Sequence, residues 1–69
     1  MNKDLKEFLV KMYPAGTRVK LISMNDVQAP PEGTLGTVIG VDDMCSILVK
    51  WDTGSSLSLI YGEDVFEVD

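Results

Sequence analysis

The stretch SILVKWDTGSSLSLIY, residues 46–61, decides which fold this chain can adopt. Apolar side chains recur there at every second position, and they are Ile47, Val49 and Trp51, then Leu57, Leu59 and Tyr61. A period of two is typical of half-buried β-strands. Residues 52–55, between the two runs, are few enough for a hairpin turn. We therefore predict two antiparallel strands, Ser46–Trp51 and 56–61, joined by a tight corner.

The corner itself, residues 52–55, reads Asp-Thr-Gly-Ser and resembles the active-site string of the aspartic proteases. In those enzymes two carboxylates share one site and their pKa values split. The protease pattern has small or apolar residues before the aspartate, whereas this chain has Lys50 and Trp51. A turn explains the same residues, because an Asp side chain bonds backbone N–H groups and Gly accepts a positive φ. We predict a hairpin corner in which Asp52 bonds the turn and has no catalytic role.

Three further β-rich runs surround this hairpin, and they are residues 17–22, 37–41 and Val65–Val68. The long first connection, residues 23–33, contains Pro30 and Pro31, and we expect Pro31 and Glu32 at the centre of a turn. A hairpin at 42–45 and a 3₁₀ turn at 62–64 complete the predicted connections. Five short strands favour a closed barrel, which removes sheet edges. The predicted fold is mainly β, a small five-stranded SH3-like barrel over residues 16–69 with one short N-terminal α-helix.

That helix and its connector occupy residues 1–15. Asp4 and Glu7 have the spacing of a capping box, which predicts the start of the helix at Asp4. The apolar residues that follow at helical spacing are Leu5, Phe8, Leu9 and Met12. Tyr13-Pro14 and Gly16 end the pattern. Because so short a helix is marginal alone, we expect this stripe to pack across an open end of the barrel. Exposure of the stripe to a partner is the alternative.

Charge is spread unevenly over the 69 residues, whose formal net charge is −5. Residues 1–20 carry five basic groups against two acids, a formal charge of +3. Residues 21–69 carry one lysine against nine acids, a formal charge of −8. Non-specific nucleic-acid binding depends on neutralising phosphates with Lys and Arg. The acidic body therefore makes nucleic acid the less favoured partner.

Cysteine and histidine usage bounds the chemistry further. Cys45 is the single cysteine and cannot form an intrachain disulfide, and the chain has no histidine. Small secreted domains usually depend on several disulfides, so we expect a cytoplasmic protein. Zinc sites draw on Cys and His, so we expect neither a metal nor another cofactor. The apolar runs are far shorter than the ~20 residues that cross a bilayer, so we expect no membrane association.

The glycine pattern carries two resemblances. Gly-Thr-Arg-Val at 16–19 and Gly-Thr-Leu-Gly-Thr-Val at 33–38 resemble SH3-like barrels and the KOW motif of ribosomal and transcription-elongation proteins. A closer resemblance, over residues 16–68, rests on GTRVKLI, APPEGTLGTV, VDD, VKWDTGSSL and GED. These segments are similar to the domain of unknown function 4314 family of short bacterial and mobile-element proteins. The resemblance implies the barrel and a bacterial cytoplasmic setting, and it supplies no activity.

Binding is the function that these features favour over catalysis. We expect a non-enzymatic module for another protein or peptide, since SH3-like barrels hold extended or Pro-rich peptides in aromatic-lined grooves. The candidate binding residues are Trp51, Tyr61, Pro30, Pro31, Asp42 and Asp43. Trp51 shares a face with Ile47 and Val49, so a place in the core is the alternative for its ring. The two acids are alternatively solvated turn residues.

Nucleic-acid binding is the alternative function, in the form of a ribosome- or polymerase-associated KOW-like domain. Its expected phosphate contacts are Arg18, Lys20 and the helix lysines Lys3, Lys6 and Lys11. The region around the first loop, where KOW-like motifs commonly place basic residues, has none here. The oligomeric state does not follow from these patterns.

Overall fold

A computed structural model describes residues 3–69, so the first two residues of the predicted helical segment 1–15 lie outside the described chain. The elements are helix α1 Lys3–Met12 and strands β1 Arg18–Ser23, β2 Leu35–Val41, β3 Ser46–Trp51, β4 Leu59–Ile60 and β5 Val65–Val68. All neighbouring strands are antiparallel, and the order across the sheet is β4-β3-β2-β1-β5. The mainly β class, the five strands and the N-terminal helix are confirmed.

The predicted closure of the strands into a barrel is wrong, because β4 and β5 remain the two edges of one open sheet. Strand β4 contains only Leu59 and Ile60, where the alternation predicts a strand over 56–61. The indole N–H of Trp51 donates a hydrogen bond to the Leu57 carbonyl over 2.8 Å. The Leu57 carbonyl is therefore bonded to a side chain, and β4, reduced to two residues, pairs with β3 at one edge of the sheet.

An apolar core fills one face of the sheet. Its fully buried side chains are Leu9, Val19, Leu21, Val38, Ile47, Val49, Trp51 and Leu59. Their spacing within β1 and β3 follows the predicted alternation, which is confirmed for both strands. Gly36 stands opposite Trp51 in the β2–β3 pair, so the indole lies directly against the backbone of β2.

Helix α1 packs on the sheet through half of its predicted stripe. Leu9 is fully buried and Leu5 packs against the core, whereas the side chains of Phe8 and Met12 are 43% and 51% exposed. Packing of the helix on the sheet is therefore confirmed for the first pair. The second pair lies on the surface, and Phe8 takes part in the candidate site described below.

The helix begins earlier than the capping box predicts and ends as expected. Lys3 is already helical, so Asp4 lies inside the first turn and the predicted N-cap is wrong. A carboxylate in the first turn and Lys11 in the last turn both complement the helix dipole. The Tyr13 N–H donates the last helical bond to the Leu9 carbonyl over 2.8 Å, and Pro14 follows.

The Asp-Thr-Gly corner is a turn, as predicted. The Gly54 N–H donates to the Trp51 carbonyl and the Trp51 N–H donates to the Ser55 carbonyl, each over 2.9 Å. Gly54 has a φ of 98°. The predicted bond from the Asp52 side chain to the turn is wrong, because Arg18 donates to both carboxylate oxygens over 3.0 and 2.7 Å. That hydrogen bonding holds the pKa of Asp52 below its usual value and fits a surface ion pair.

Replacing Gly54 with valine tests this corner. We expect Gly54→Val to lower the free energy of unfolding by about 1–2 kcal/mol, because a β-branched residue is strained at positive φ. An added Cβ meets no heavy atom within 4 Å, so the expected penalty is backbone strain and not a clash at Cβ. Urea unfolding followed by circular dichroism measures it. Gly54→Asn is the matched control and should lose less stability, since Asn tolerates the left-handed region. Equal midpoints for Gly54→Val and the parent would mean that the corner has another conformation.

Two other connections differ in detail from their predictions. The turn in the first loop is centred on Glu32-Gly33, one residue later than predicted, because the Thr34 N–H donates to the Pro31 carbonyl over 3.1 Å. Gly33, with a φ of 88°, supplies the left-handed position of that turn. The 3₁₀ turn predicted at 62–64 is wrong, because Gly62 has a φ of 94° and a 3₁₀ helix needs negative values.

Candidate binding surface

Four aromatic rings from separate segments meet at one place, which we call the aromatic patch: Phe8, Tyr13, Tyr61 and Phe66. The centroids of the Phe8 and Tyr61 rings lie 5.8 Å apart, with an interplanar angle of 67°. Tyr13 lies 6.4 Å from Tyr61 and 5.2 Å from Phe66, measured between ring centroids. The Phe8–Tyr61 and Tyr13–Phe66 pairs are edge-to-face, a preferred arrangement of aromatic rings at such distances. The patch therefore joins α1, the segment after it, the end of β4 and β5.

Local structure holds each ring in place. Phe8 is next to the buried Leu9, which anchors α1 to the core. Tyr13 is held where the helix ends by its backbone bond to Leu9. Tyr61 directly follows β4, and the next turn is closed by the Asp64 carboxylate, which accepts a hydrogen bond from the Ile60 N–H over 2.7 Å. Phe66 is paired with a core residue of β1 in the sheet register. The patch thus rests on bonded backbone.

The patch has an inner and an outer layer. Tyr13 and Phe66 are half-buried and pack against the core. Burial raises the pKa of the Tyr13 phenol, and the neighbouring Tyr61 adds to that effect. Phe8 and Tyr61 form the outer layer and are 43% and 44% exposed. The two outer rings are therefore exposed to solvent and lie on two rings that pack against the core.

Of the predicted binding residues, Tyr61 lies in the patch and Trp51 does not. Trp51 is 1% exposed and its indole N–H is used within the fold, so its ring takes the core position. Pro30 is buried and Pro31 is exposed in the connection between β1 and β2. The structure thus distributes these four residues among the core, the first loop and the patch.

The two predicted acids lie in the β2–β3 hairpin and have structural bonds. The Asp42 carboxylate accepts hydrogen bonds from the Met44 and Ser46 N–H groups over 3.0 and 2.9 Å, which fixes the turn. Asp43 pairs with Lys6 of α1 over 2.6 Å. The hydrogen bond and charge of Lys6 hold the pKa of Asp43 below its ordinary value. This ion pair links the hairpin to the helix at the surface.

The basic patch predicted for nucleic acid is partly neutralised within the chain. Arg18 binds both carboxylate oxygens of Asp52 and also donates to the Thr37 hydroxyl over 2.8 Å. Lys6 is held by Asp43. Two of the expected phosphate contacts therefore already have anionic partners on the surface.

Two searches of the described residues bear on other classes of site. Within residues 3–69, no three His, Cys, Asp or Glu side chains lie close enough together to hold a metal ion. Over the same range, no helix is long and apolar enough to cross a membrane.

Comparison with known proteins gives one match. No curated protein and no solved structure matches the chain. The family model described as Domain of unknown function (DUF4314) matches residues 2–68, and this range includes α1 and all five strands. The earlier resemblance begins only at residue 16, so the match extends it over the helix. The chain therefore belongs to the DUF4314 family.

Proposed function

We propose that this chain is a non-enzymatic binding module that holds a segment of another protein on the aromatic patch. The observation that carries the proposal is the outer layer, in which Phe8 and Tyr61 are each more than two-fifths exposed while their rings contact one another. Protein interfaces are enriched in aromatic side chains, and their energetic centres favour Tyr and Trp. A ring pair fixed on a packed base loses little side-chain freedom when a partner covers it.

The position of the patch supports a chain segment as the occupant. Phe8 belongs to the helix and Tyr61 follows an edge strand, so the two exposed rings lie along the junction between α1 and the sheet. Extended peptides bind to aromatic-lined grooves or to sheet edges. Met12, one helical turn after Phe8 and also exposed, extends the apolar surface along the helix.

A protein partner fits the charge of the molecule better than a nucleic acid. Residues 21–69 carry a formal charge of −8, and Arg18 and Lys6 have anionic partners. Phosphate binding needs unneutralised Lys and Arg side chains. We place the module in the cytoplasm, because its one cysteine cannot form an intrachain disulfide and the fold rests on its apolar core. The bacterial setting is what the family resemblance implies.

The test is a selection from a random dodecapeptide display library on the full-length chain. We expect recovered peptides to bind the parent and to lose most of their binding to the double variant Phe8→Ser and Tyr61→Ser. Ile39→Ser is the matched control, because Ile39 is an exposed apolar residue of β2, 59% exposed, and is not part of the aromatic patch. The control should bind the peptides as the parent does.

Circular dichroism shows that each variant is folded before its binding is compared. Recovery of no peptide above background would contradict the proposed function. Peptides that bind the double variant as tightly as the parent would show that the patch is not the binding site.

A further inference from the structure

We propose that the aromatic patch receives a positively charged side chain, Lys or Arg, from the bound segment. This inference rests on the proposed function and names the chemistry of the ligand. It combines two observations: exposed aromatic rings that attract a cation, and a surrounding surface with an excess of carboxylates.

The rings provide the first part of the attraction. Phe8 and Tyr61 contact at an interplanar angle of 67°, so the two rings present surface in different directions. Both side chains are more than two-fifths exposed. A Lys ammonium or Arg guanidinium is attracted by the face of an aromatic ring within about 6 Å of its centroid. An Arg side chain also stacks its planar head on such a ring and covers the apolar surface with its stem.

Two exposed carboxylates that neighbour the outer rings along the chain provide the second part. Asp4 lies one helical turn before Phe8, a spacing that places residues on the same side of a helix. Glu63 belongs to the turn that directly follows Tyr61. Both acids are exposed. On the same helix, Lys11 lies one turn after Phe8, and Lys6 is already paired with Asp43. Asp4 and Glu63 together outnumber Lys11 beside the outer rings, which favours a cationic ligand over an acidic one.

The charge of the whole chain acts in the same direction. The net charge is −5, and two of the six basic side chains lie in ion pairs with Asp43 and Asp52. The resulting field raises the rate at which a cationic segment meets the surface. A neutral apolar segment gains nothing from this field. An acidic segment is repelled by it.

The library selection tests the inference through the sequences that it recovers. We expect peptides enriched in Lys and Arg relative to the starting library. The tightest recovered peptide is then synthesised beside a matched peptide in which every Lys and Arg is replaced by Gln. Isothermal titration calorimetry should give a Kd about three- to tenfold weaker for the Gln peptide. The difference should shrink at high salt.

A pair of charge reversals separates a local effect from net charge. Glu63→Lys should weaken binding of the cationic peptide by a similar factor and leave the Kd of the Gln peptide unchanged. Glu32→Lys makes the same change of charge in the exposed turn of the first loop, and it should have a smaller effect. Equal effects of the two reversals would show that only the overall field is involved, which would overturn a cation site at the patch.

The outcomes keep this inference distinct from the proposed function. Peptides that need Phe8 and Tyr61 but contain no excess of Lys and Arg would overturn the cation inference and leave the binding module intact. The same holds if the Gln peptide binds as tightly as its parent. Recovery of no peptide at all would overturn both.

Discussion

Trp51→Ala is expected to remove most of the stability of this domain. The side chain is the largest in the core and is 1% exposed, and its truncation leaves a cavity next to the β2 backbone. Replacing a buried Trp with Ala costs about 3–5 kcal/mol. A domain of 69 residues has a total stability of about 3–10 kcal/mol. The substitution also leaves the Leu57 carbonyl without its indole donor, which releases the segment before β4.

Urea unfolding by far-ultraviolet circular dichroism measures this loss, because Trp51 is the only tryptophan and the variant has no indole fluorescence. We expect a midpoint near zero denaturant or a chain unfolded in buffer. Lys50→Ala changes the exposed neighbour on the same strand and should leave the midpoint almost unchanged. A Trp51→Ala variant as stable as the parent would contradict the central position of this ring in the core.

Gly36→Ala is the second large effect, although it adds a single methyl group. A Cβ at Gly36 would lie 2.7 Å from Cε3 of Trp51 and 2.7 Å from Cγ1 of Val49. Both atoms belong to fully buried side chains and cannot turn outward. Overpacking of a core typically costs 1–3 kcal/mol, and we expect about 3 kcal/mol here because two core residues must move together.

Gly40→Ala is the matched control for this substitution. Gly40 is in the same strand, and an added Cβ meets nothing within 4 Å. Because Ala has fewer backbone conformations than Gly in the unfolded chain, Gly40→Ala should be neutral or should stabilise the fold by up to about 1 kcal/mol. Thermal unfolding of the two variants measures the contrast. Similar melting temperatures for Gly36→Ala and Gly40→Ala would contradict the close contact between Trp51 and β2.

Strand positions were predictable wherever apolar residues at every second position mark the buried face of a strand. The bounds predicted for β3 and β5, Ser46–Trp51 and Val65–Val68, are those of the structure. The end of the sheet at β4 was not predictable, because alternation at 57, 59 and 61 does not reveal a hydrogen bond from an indole to a carbonyl. That bond lies between Trp51 and Leu57 and shortens the strand.

Ion pairs between residues far apart in the sequence were equally unpredictable. Asp52 has the residue type and position of a turn-forming side chain, yet it is held by Arg18, which is 34 residues away along the chain. The competing partner comes from β1 through the order of the strands in the sheet. Local turn chemistry therefore predicted the corner correctly and the bonding of its aspartate wrongly.

The candidate site was predictable only in part, for a related reason. Tyr61 was a predicted binding residue, and the structure places it in the aromatic patch. Phe8 was assigned to the packed stripe of the helix, and Phe66 carried no predicted binding role. Aromatic residues in four segments form a surface only when the fold brings them together. The signal available in the sequence was the excess of large apolar residues on so short a helix.

The binding site itself is tested most directly by nuclear magnetic resonance of the full-length labelled chain, titrated with the tightest peptide from the library. We expect the ring resonances of Phe8 and Tyr61 to shift most and to show intermolecular contacts with the peptide. The first loop around Pro30 and Pro31 should be unaffected, as should the β2–β3 hairpin. Contacts confined to that loop or to that hairpin, with Phe8 and Tyr61 unchanged, would contradict binding at the aromatic patch.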